Sequence, residues 1–238
     1  MQIIKSGAIF ISDSHENEKK LYFLEFLEAV KSGKIRPTQL FLMGDMFDYL
    51  SFTDYSRKFY AKQILLINEI SKSVPCFYFE GNHDYNLNEI FPNVQVFDIF
   101  AQPVKFLLEN GEICELLHGD RFIPKIDFKV LMLLRNKAFL KTLNFIDNLI
   151  NFKITKAILK HQEKKILYKK HPNFKALIEQ KIHNYSAKFI IEGHYHQDEI
   201  FNFDKRVYIN LNSYAVEQKY YEAKFENGEF KLVAKSLN

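Results

Sequence analysis

Five short segments concentrate residues that bind divalent metals: Asp13-Ser14-His15, Gly44-Asp45, Gly81-Asn82-His83-Asp84, His118-Gly119-Asp120 and Gly193-His194-Tyr195-His196. Oxygen donors and imidazoles alternate with glycines, and no cysteine takes part. That mixture suits a pair of cations such as Mn²⁺, Fe²⁺ or Zn²⁺. Two such ions about 3.5 to 4 Å apart clamp a phosphoryl group and lower the pKa of a bridging water, so the chemistry expected is in-line phosphoester hydrolysis. No nucleophilic side chain is required.

Such residues must be carried to one place. In an extended segment, residues two apart point to the same side, so Asp13 with His15, and His194 with His196, can each converge on one cluster. Apolar runs precede three of the motifs: Ile3 to Ile11, Leu40 to Met43 and Cys76 to Phe79. Each reads as a buried strand that delivers its ligands at its C-terminal end, where open α/β sheets place ligands. Gly44, Gly81, Gly119 and Gly193 let the backbone turn beside the ions. Glu18 to Ser32 and Tyr55 to Lys72 have the apolar spacing of amphipathic helices. Asn110-Gly111 and Asn227-Gly228 mark two hairpins, Val104 to Leu108 with Glu112 to Leu117, and Tyr220 to Glu226 with Glu229 to Val233.

A single buried His or Asp in a loop is more often a cap or turn former than a ligand. Here the joint pattern reverses that expectation, because five of the eight histidines fall inside the motifs. His161, His171 and His183 lie among lysines and read as ordinary surface residues. Asp48 and Asp120 read as turn residues or as groups that orient ligands.

The five motifs, in this order from Asp13 to His196, resemble the calcineurin-like metallophosphoesterase superfamily. The resemblance implies a four-layer α/β/β/α sandwich of two mixed sheets, the metallo-dependent phosphatase fold. It implies one metal held by Asp13, His15, Asp45 and His196, and a second held by Asp45, Asn82, His118 and His194, with Asp45 bridging. Mn²⁺ is the ion expected, Fe²⁺ and Zn²⁺ being compatible. His83 then adjoins a metal ligand and is placed to stabilise the charged transition state or protonate the leaving oxygen, with Asp84 able to orient it.

The 238 residues, 47% hydrophobic, suffice for one domain over 1–238 with an insertion. Cys76 and Cys114 lack a C-x-x-C spacing and read as core thiols of a reducing compartment. The first residues lack a signal-peptide layout, so a soluble or peripherally bound cytoplasmic protein is expected.

Charge is distributed unevenly. Residues 121 to 192 hold sixteen Lys or Arg against five Asp or Glu, whereas the rest of the chain holds seventeen against twenty-four. Lys137, Lys141, Asn144, Asn148 and Asn151 recur at helical spacing, and Phe139, Leu143, Ile146 and Ile150 follow on another face. This is an amphipathic helix interrupted by charge, with no transmembrane span. Residues 121–188 are therefore expected to form a helical cap. It is either a plain cover with solvated lysines or a basic, apolar lid that attracts anionic substrate and membrane surface and holds acyl chains. Its place between the His118 and His194 motifs favours the lid.

That insert, the chain length and the Leu-His-Gly-Asp-Arg segment are similar to the UDP-2,3-diacylglucosamine pyrophosphatases of lipid A synthesis (the LpxH group), which carry Arg where this chain has His83. The resemblance implies attack on the α-phosphate of a UDP-linked lipid at the inner membrane surface. Products would be UMP and a diacylglucosamine 1-phosphate, and Arg121, Lys137 and Lys141 are the candidate substrate contacts. A phosphodiesterase of soluble nucleotides would use the same ions. Nucleic acid is disfavoured, since the basic segment lacks regular aromatic and Arg interleaving. A non-catalytic scaffold is disfavoured by the intact ligand set.

Overall fold

The computed structural model describes residues 1–122 and 125–237. Residues 123–124 of the expected cap and the terminal Asn238 lie outside the described residues. The apolar run Ile3 to Ile11 does not make the single strand expected of it. Gly7 takes a φ of +81° and the Ala8 amide donates to the Lys5 carbonyl at 3.0 Å. The run therefore splits into β1 (Ile3–Ile4) and β2 (Ile9–Ile11), which enter different sheets.

One sheet has the order β1, β6 (Val104–Leu108), β7 (Ile113–Leu117), β8 (Phe189–Glu192), β10 (Arg206–Asn210), β9 (Glu199–Phe203). The other runs β12 (Glu229–Lys235), β11 (Tyr220–Glu226), β2, β3 (Leu40–Leu42), β4 (Cys76–Phe79), β5 (Gln95–Phe97). Both are mixed: β2 to β5 are parallel with β11 antiparallel, while β7, β8 and β10 are parallel, flanked by antiparallel β6 and β9. Both Asn-Gly hairpins form, as β6–β7 and β11–β12.

Side-chain alternation along each strand builds the layers. Phe10, Phe41 and Phe77 point between the sheets, with neighbouring ring centroids 4.5 and 4.7 Å apart. Ile9, Ile11, Leu40 and Leu42 point the other way, against α1 (Tyr22–Lys31) and α3 (Ala61–Ile70). Cys76 and Cys114 are buried and free.

Two helices are shorter than their apolar spacing predicts. Asn17 Oδ1 accepts from the amides of Lys19 and Lys20, holding that stretch as a turn, and the Glu16 carboxylate accepts from the amides of Phe23 and Leu24, so α1 begins only at Tyr22. Tyr60 interrupts the next helix, dividing α2 (Asp54–Phe59) from α3. Its hydroxyl donates to the Glu16 carbonyl at 2.7 Å and its ring packs on Phe47.

The segment after β7 forms a 3₁₀ turn (Asp120–Phe122), then α4 (Lys125–Arg135), α5 (Lys137–Leu149), α6 (Lys153–Gln162) and α7 (Phe174–Lys181). Phe174 and Ile178 of α7 pack on Leu117, Ile190 and Tyr208, and so cover the outer face of the first sheet. This completes an α/β/β/α sandwich. A final short helix, α8 (Tyr214–Glu217), packs near α1.

The face of α5 that packs is not the one its spacing suggested. Leu140 and Asp147 are buried, while Phe139, Ile146 and Ile150 are exposed. Asn144 and Asn148 bind the Asp54 carboxylate at 3.0 and 2.8 Å, which turns that polar face toward α2. Asp147 accepts from the amides of Ile154 and Thr155 and so caps α6.

Candidate metal centre

The metal-ligand motifs follow the C-terminal ends of β2, β3, β4, β7 and β8, so strands from both sheets deliver them to one end of the sandwich. Convergence does not come from extended pairs. Asp13, His15, Asp45, His194 and His196 all have φ between 42° and 64°, the left-handed region that non-glycine residues seldom occupy. Each motif therefore curls, and this strained geometry is characteristic of sites whose surroundings fix them.

Asp45 lies at the middle. Its Oδ1 accepts from the His83 amide at 2.8 Å. Its Oδ2 faces His118 Nε2 at 3.5 Å, and His15 and His83 Nε2 at 4.0 Å each. On one side, Asp13, His15 and His196 bring one donor atom each within 4.8 Å of one another; on the other, Asp45, His118 and His194 do the same. His15, Asp45 and His83 form a third such group.

Backbone carbonyls fix three of the imidazoles. A carbonyl only accepts, so Nδ1–H donates to Met43 from His118 (2.9 Å), to Leu167 from His196 (2.8 Å) and to Asp48 from His83 (2.8 Å). Nε2 is left to face the cluster, the arrangement that orients metal-binding histidines. His15 Nδ1 lies 3.4 Å from the Asp48 carboxylate.

Burial and charge favour metal binding. Burial pushes His15 down to about 4 and, helped by the charge of His118, His194 down to about 3, so both are neutral imidazoles near pH 7. Burial opposes ionisation of Asp13, yet the charge and hydrogen bond of His196 hold it well below the usual carboxylate range. Burial likewise opposes ionisation of Asp45, and His118 and His83 override it. Conversely His118 is pushed up despite its burial, by Asp45. A pocket that raises two imidazoles, His118 and His196, and keeps two carboxylates ionised favours positive charge.

The fit is also visible in what lacks a partner. Among the described residues, His15 Nδ1 and Nε2, Asn82 Oδ1 and His118 Nε2 are buried without a hydrogen bond. Such atoms are rare unless an ion or water serves them.

Residues 8–198 match the family model described as calcineurin-like phosphoesterase. The chain belongs to that family. It is a metal-dependent phosphoester hydrolase, and the family uses a dinuclear divalent metal centre, which the His and Asp cluster fits. The UDP-2,3-diacylglucosamine hydrolase of Blochmanniella floridana is 28% identical over 207 residues, covering 82% of this chain and 81% of its own. The protein of that name from Aliivibrio fischeri (strain MJ11) is 25% identical over 208 residues, covering 82% and 83%. Among solved structures, an archaeal phosphodiesterase is similar with a TM-score of 0.45 and 12% identity, over 99% of this chain and 100% of that one.

Beside the phosphoesterase cluster lies a cavity of about 920 Å³. Asn82, His83 and His194 line its base, Val130, Leu131 and Leu134 of α4 form one wall, and Leu140, Leu143 and Ile158 form another. His161, Lys164 and Lys165 complete the rim. Lys165 Nζ is 2.8 Å from His83 Nε2 and donates to it.

Asp84 does not orient His83. Its carboxylate accepts from the amides of Asp45, Met46 and Gly81 and from the Tyr78 hydroxyl, so it holds the Asp45 loop instead. Burial and the nearby Asp45 push it up to about 6. The carbonyl of Asp48 takes the orienting role. Arg121, Lys137 and Lys141 stand outside the cavity lining. The Arg121 guanidinium sits over the rings of Phe100 and Phe128, Lys137 reaches Glu89 at 3.2 Å, and Lys141 is exposed. Lys165, the cation bound to His83, comes from the chain's return after α6, where a run of lysines gave no reason to single it out.

Gly81 has little room beside Asp45. A Cβ there would lie 2.2 Å from Asp45 Oδ1 and 2.7 Å from its amide. Gly81→Ala should therefore displace the carboxylate and weaken divalent metal binding by about 10- to 100-fold, the range for disturbing a group that orients a ligand. Calorimetric titration with Mn²⁺ checks this. Undiminished affinity would show that the turn yields without moving Asp45.

Proposed function

We propose that this phosphoesterase hydrolyses UDP-2,3-diacylglucosamine to UMP and 2,3-diacylglucosamine 1-phosphate. The carrying observation is the cavity, which joins an ionic base to apolar walls from α4, α5 and α6. A nucleotide lipid has that division: a charged pyrophosphate beside hydrocarbon chains. The names of the two relatives support the same substrate.

In this reading Asp13, His15, Asp45 and His196 hold one divalent ion, and Asp45, Asn82, His118 and His194 hold the other, Mn²⁺ being the ion proposed. Together the ions supply Lewis acidity and an activated water. The chain's own residues do the rest. Lys165 Nζ presents a donor toward the leaving oxygen. His83 Nε2, which accepts from Lys165 in the neutral ring, donates there once protonated, and the apolar walls exclude water from the chains. The helices of 121–188, α7 apart, act as a lid on a single domain. Ile126, Val130 and Leu133 of α4 and Phe145 and Leu149 of α5 are exposed. Among the described residues no helix is long and apolar enough to cross a membrane. These exposed groups, with the lysines of the same segment, support peripheral attachment to the inner face of the cell membrane from the cytoplasm.

The test compares kcat/KM for UDP-2,3-diacylglucosamine and UDP-N-acetylglucosamine. Burying acyl carbons contributes about 0.8 kcal/mol per CH₂, so four methylenes favour the lipid by roughly 10²-fold. Equal efficiency on the two would transfer the site to soluble nucleotides.

A further inference from the structure

Arg135 is the last residue of α4, the helix whose Val130, Leu131 and Leu134 wall the cavity. Its guanidinium leaves that wall and enters the floor of the site, with the side chain only 8% exposed. Nη1 donates to Glu80 Oε2 at 2.9 Å and Nη2 to the Gly81 carbonyl at 2.5 Å. Nη2 also lies 3.4 Å from Asp120 Oδ2, and the Tyr85 ring supports the group at 5.2 Å. The Arg135 carbonyl accepts from Asn86 Nδ2 at 3.0 Å.

These partners are not scattered. Glu80 and Gly81 immediately precede Asn82 and His83, and Asp120 follows His118 by two residues. One planar group therefore ties the cavity wall to two of the turns that build the metal centre. An arginine fork holds two acceptors in fixed relation, which a lysine cannot do. Glu80 is buried, and burial pushes its carboxyl up to about 7 while the Arg135 guanidinium bound to it favours the ionised form.

We propose that Arg135 is a positioning residue, through which the α4 wall of the cavity sets the Gly81-Asn82-His83 turn. It rests on the assignment of Asn82 and His83 to the site, and it is independent of the substrate's identity. Among the described residues Asn82 Oδ1 has no hydrogen-bond partner, so its direction depends on the turn that carries it. The Gly81 carbonyl fixed by Arg135 is one peptide away.

The experiment uses the full chain as Arg135→Met and Arg135→Lys, with Mn²⁺ alone followed by calorimetry and bis(4-nitrophenyl) phosphate as a substrate too small to need the lid. In Arg135→Met, one Mn²⁺ should bind as in the wild type, through Asp13, His15 and His196. The other should weaken by about 10- to 100-fold, and kcat should fall by a similar factor with KM little changed. Arg135→Lys keeps the charge but loses the fork, and should show the same selective loss in smaller measure. If Arg135→Met does not fold, the lysine variant decides. Equal weakening of both Mn²⁺ events, or a lowered Tm with unchanged kcat in the folded enzyme, would overturn the proposal by making Arg135 a general strut. Asn82→Ala run in parallel separates the two levels: if it binds both ions normally, the ligand assignment has failed. Arg135 is then judged on kcat alone, and unchanged kcat in both arginine variants overturns it.

Discussion

Asp45→Ala is expected to empty both metal positions and abolish turnover. The reason is its place rather than its type. Among the described residues, Oδ2 is the carboxylate oxygen that lies within 4.0 Å of imidazoles on both sides, with His118 Nε2 at 3.5 Å and His15 Nε2 at 4.0 Å. Asp13, on the other carboxylate-bearing turn, faces His196. Losing Asp13 therefore should weaken one ion first, whereas losing Asp45 removes the donor that the two proposed ligand sets share and leaves imidazoles facing one another. The loss of rate should exceed the roughly 10- to 100-fold that follows loss of a residue merely orienting a ligand. Metal content by elemental analysis and turnover of a small phosphodiester check it together. Two tightly bound ions with near-normal turnover in Asp45→Ala would remove Asp45 from the centre of the site.

Much of this was legible because motif residues are constrained by chemistry, and chemistry is local in sequence. Asp13, Asp45, Asn82, His118 and His194 each follow a strand; apolar runs announce the first three and an Asn-Gly hairpin the fourth, whereas the strand before His194 was not read from the sequence. The path between strand and ligand was not legible. Nothing in Asp13-Ser14-His15 says that both outer residues adopt left-handed φ, because that conformation is imposed by the packing of one turn on another: the Asp13 amide donates to the Gly44 carbonyl and the His15 amide to the Asp45 carbonyl. Tyr60 is a similar case. Its apolar spacing fits a continuous helix, and only the buried carbonyl of Glu16, forty-four residues away, explains the break.

The insert was legible in composition and obscure in detail for the same reason. A lysine's sequence position gives its charge but not its reach. Lys137 and Lys141, well spaced on an amphipathic helix, project away from the cavity. Lys165 sits in a stretch without helical register and reaches His83. The apolar stripe of α5 misleads likewise, since Phe139 and Ile146 remain exposed while Asn144 and Asn148 bind Asp54 of α2.

His83→Ala should lower turnover by roughly 10²- to 10⁴-fold, the usual range for a group that transfers a proton in the transition state, while both ions stay bound. His83 Nδ1 is committed to the Asp48 carbonyl, so the ring turns its Nε2 edge, to which Lys165 donates, to the cavity. The proposed ligand sets are complete without it, even though its ring stands near His15 and Asp45. Its contact with Lys165 supplies a control. If His83 is only a spacer that places the ammonium, Lys165→Ala should cost as much as His83→Ala and the double variant no more than either. If the imidazole itself serves the leaving oxygen, Lys165→Ala should cost less, and a substrate with a good leaving group such as 4-nitrophenolate should recover much of the His83→Ala loss. Equal loss of metal and rate in His83→Ala would instead assign the ring to the metal centre.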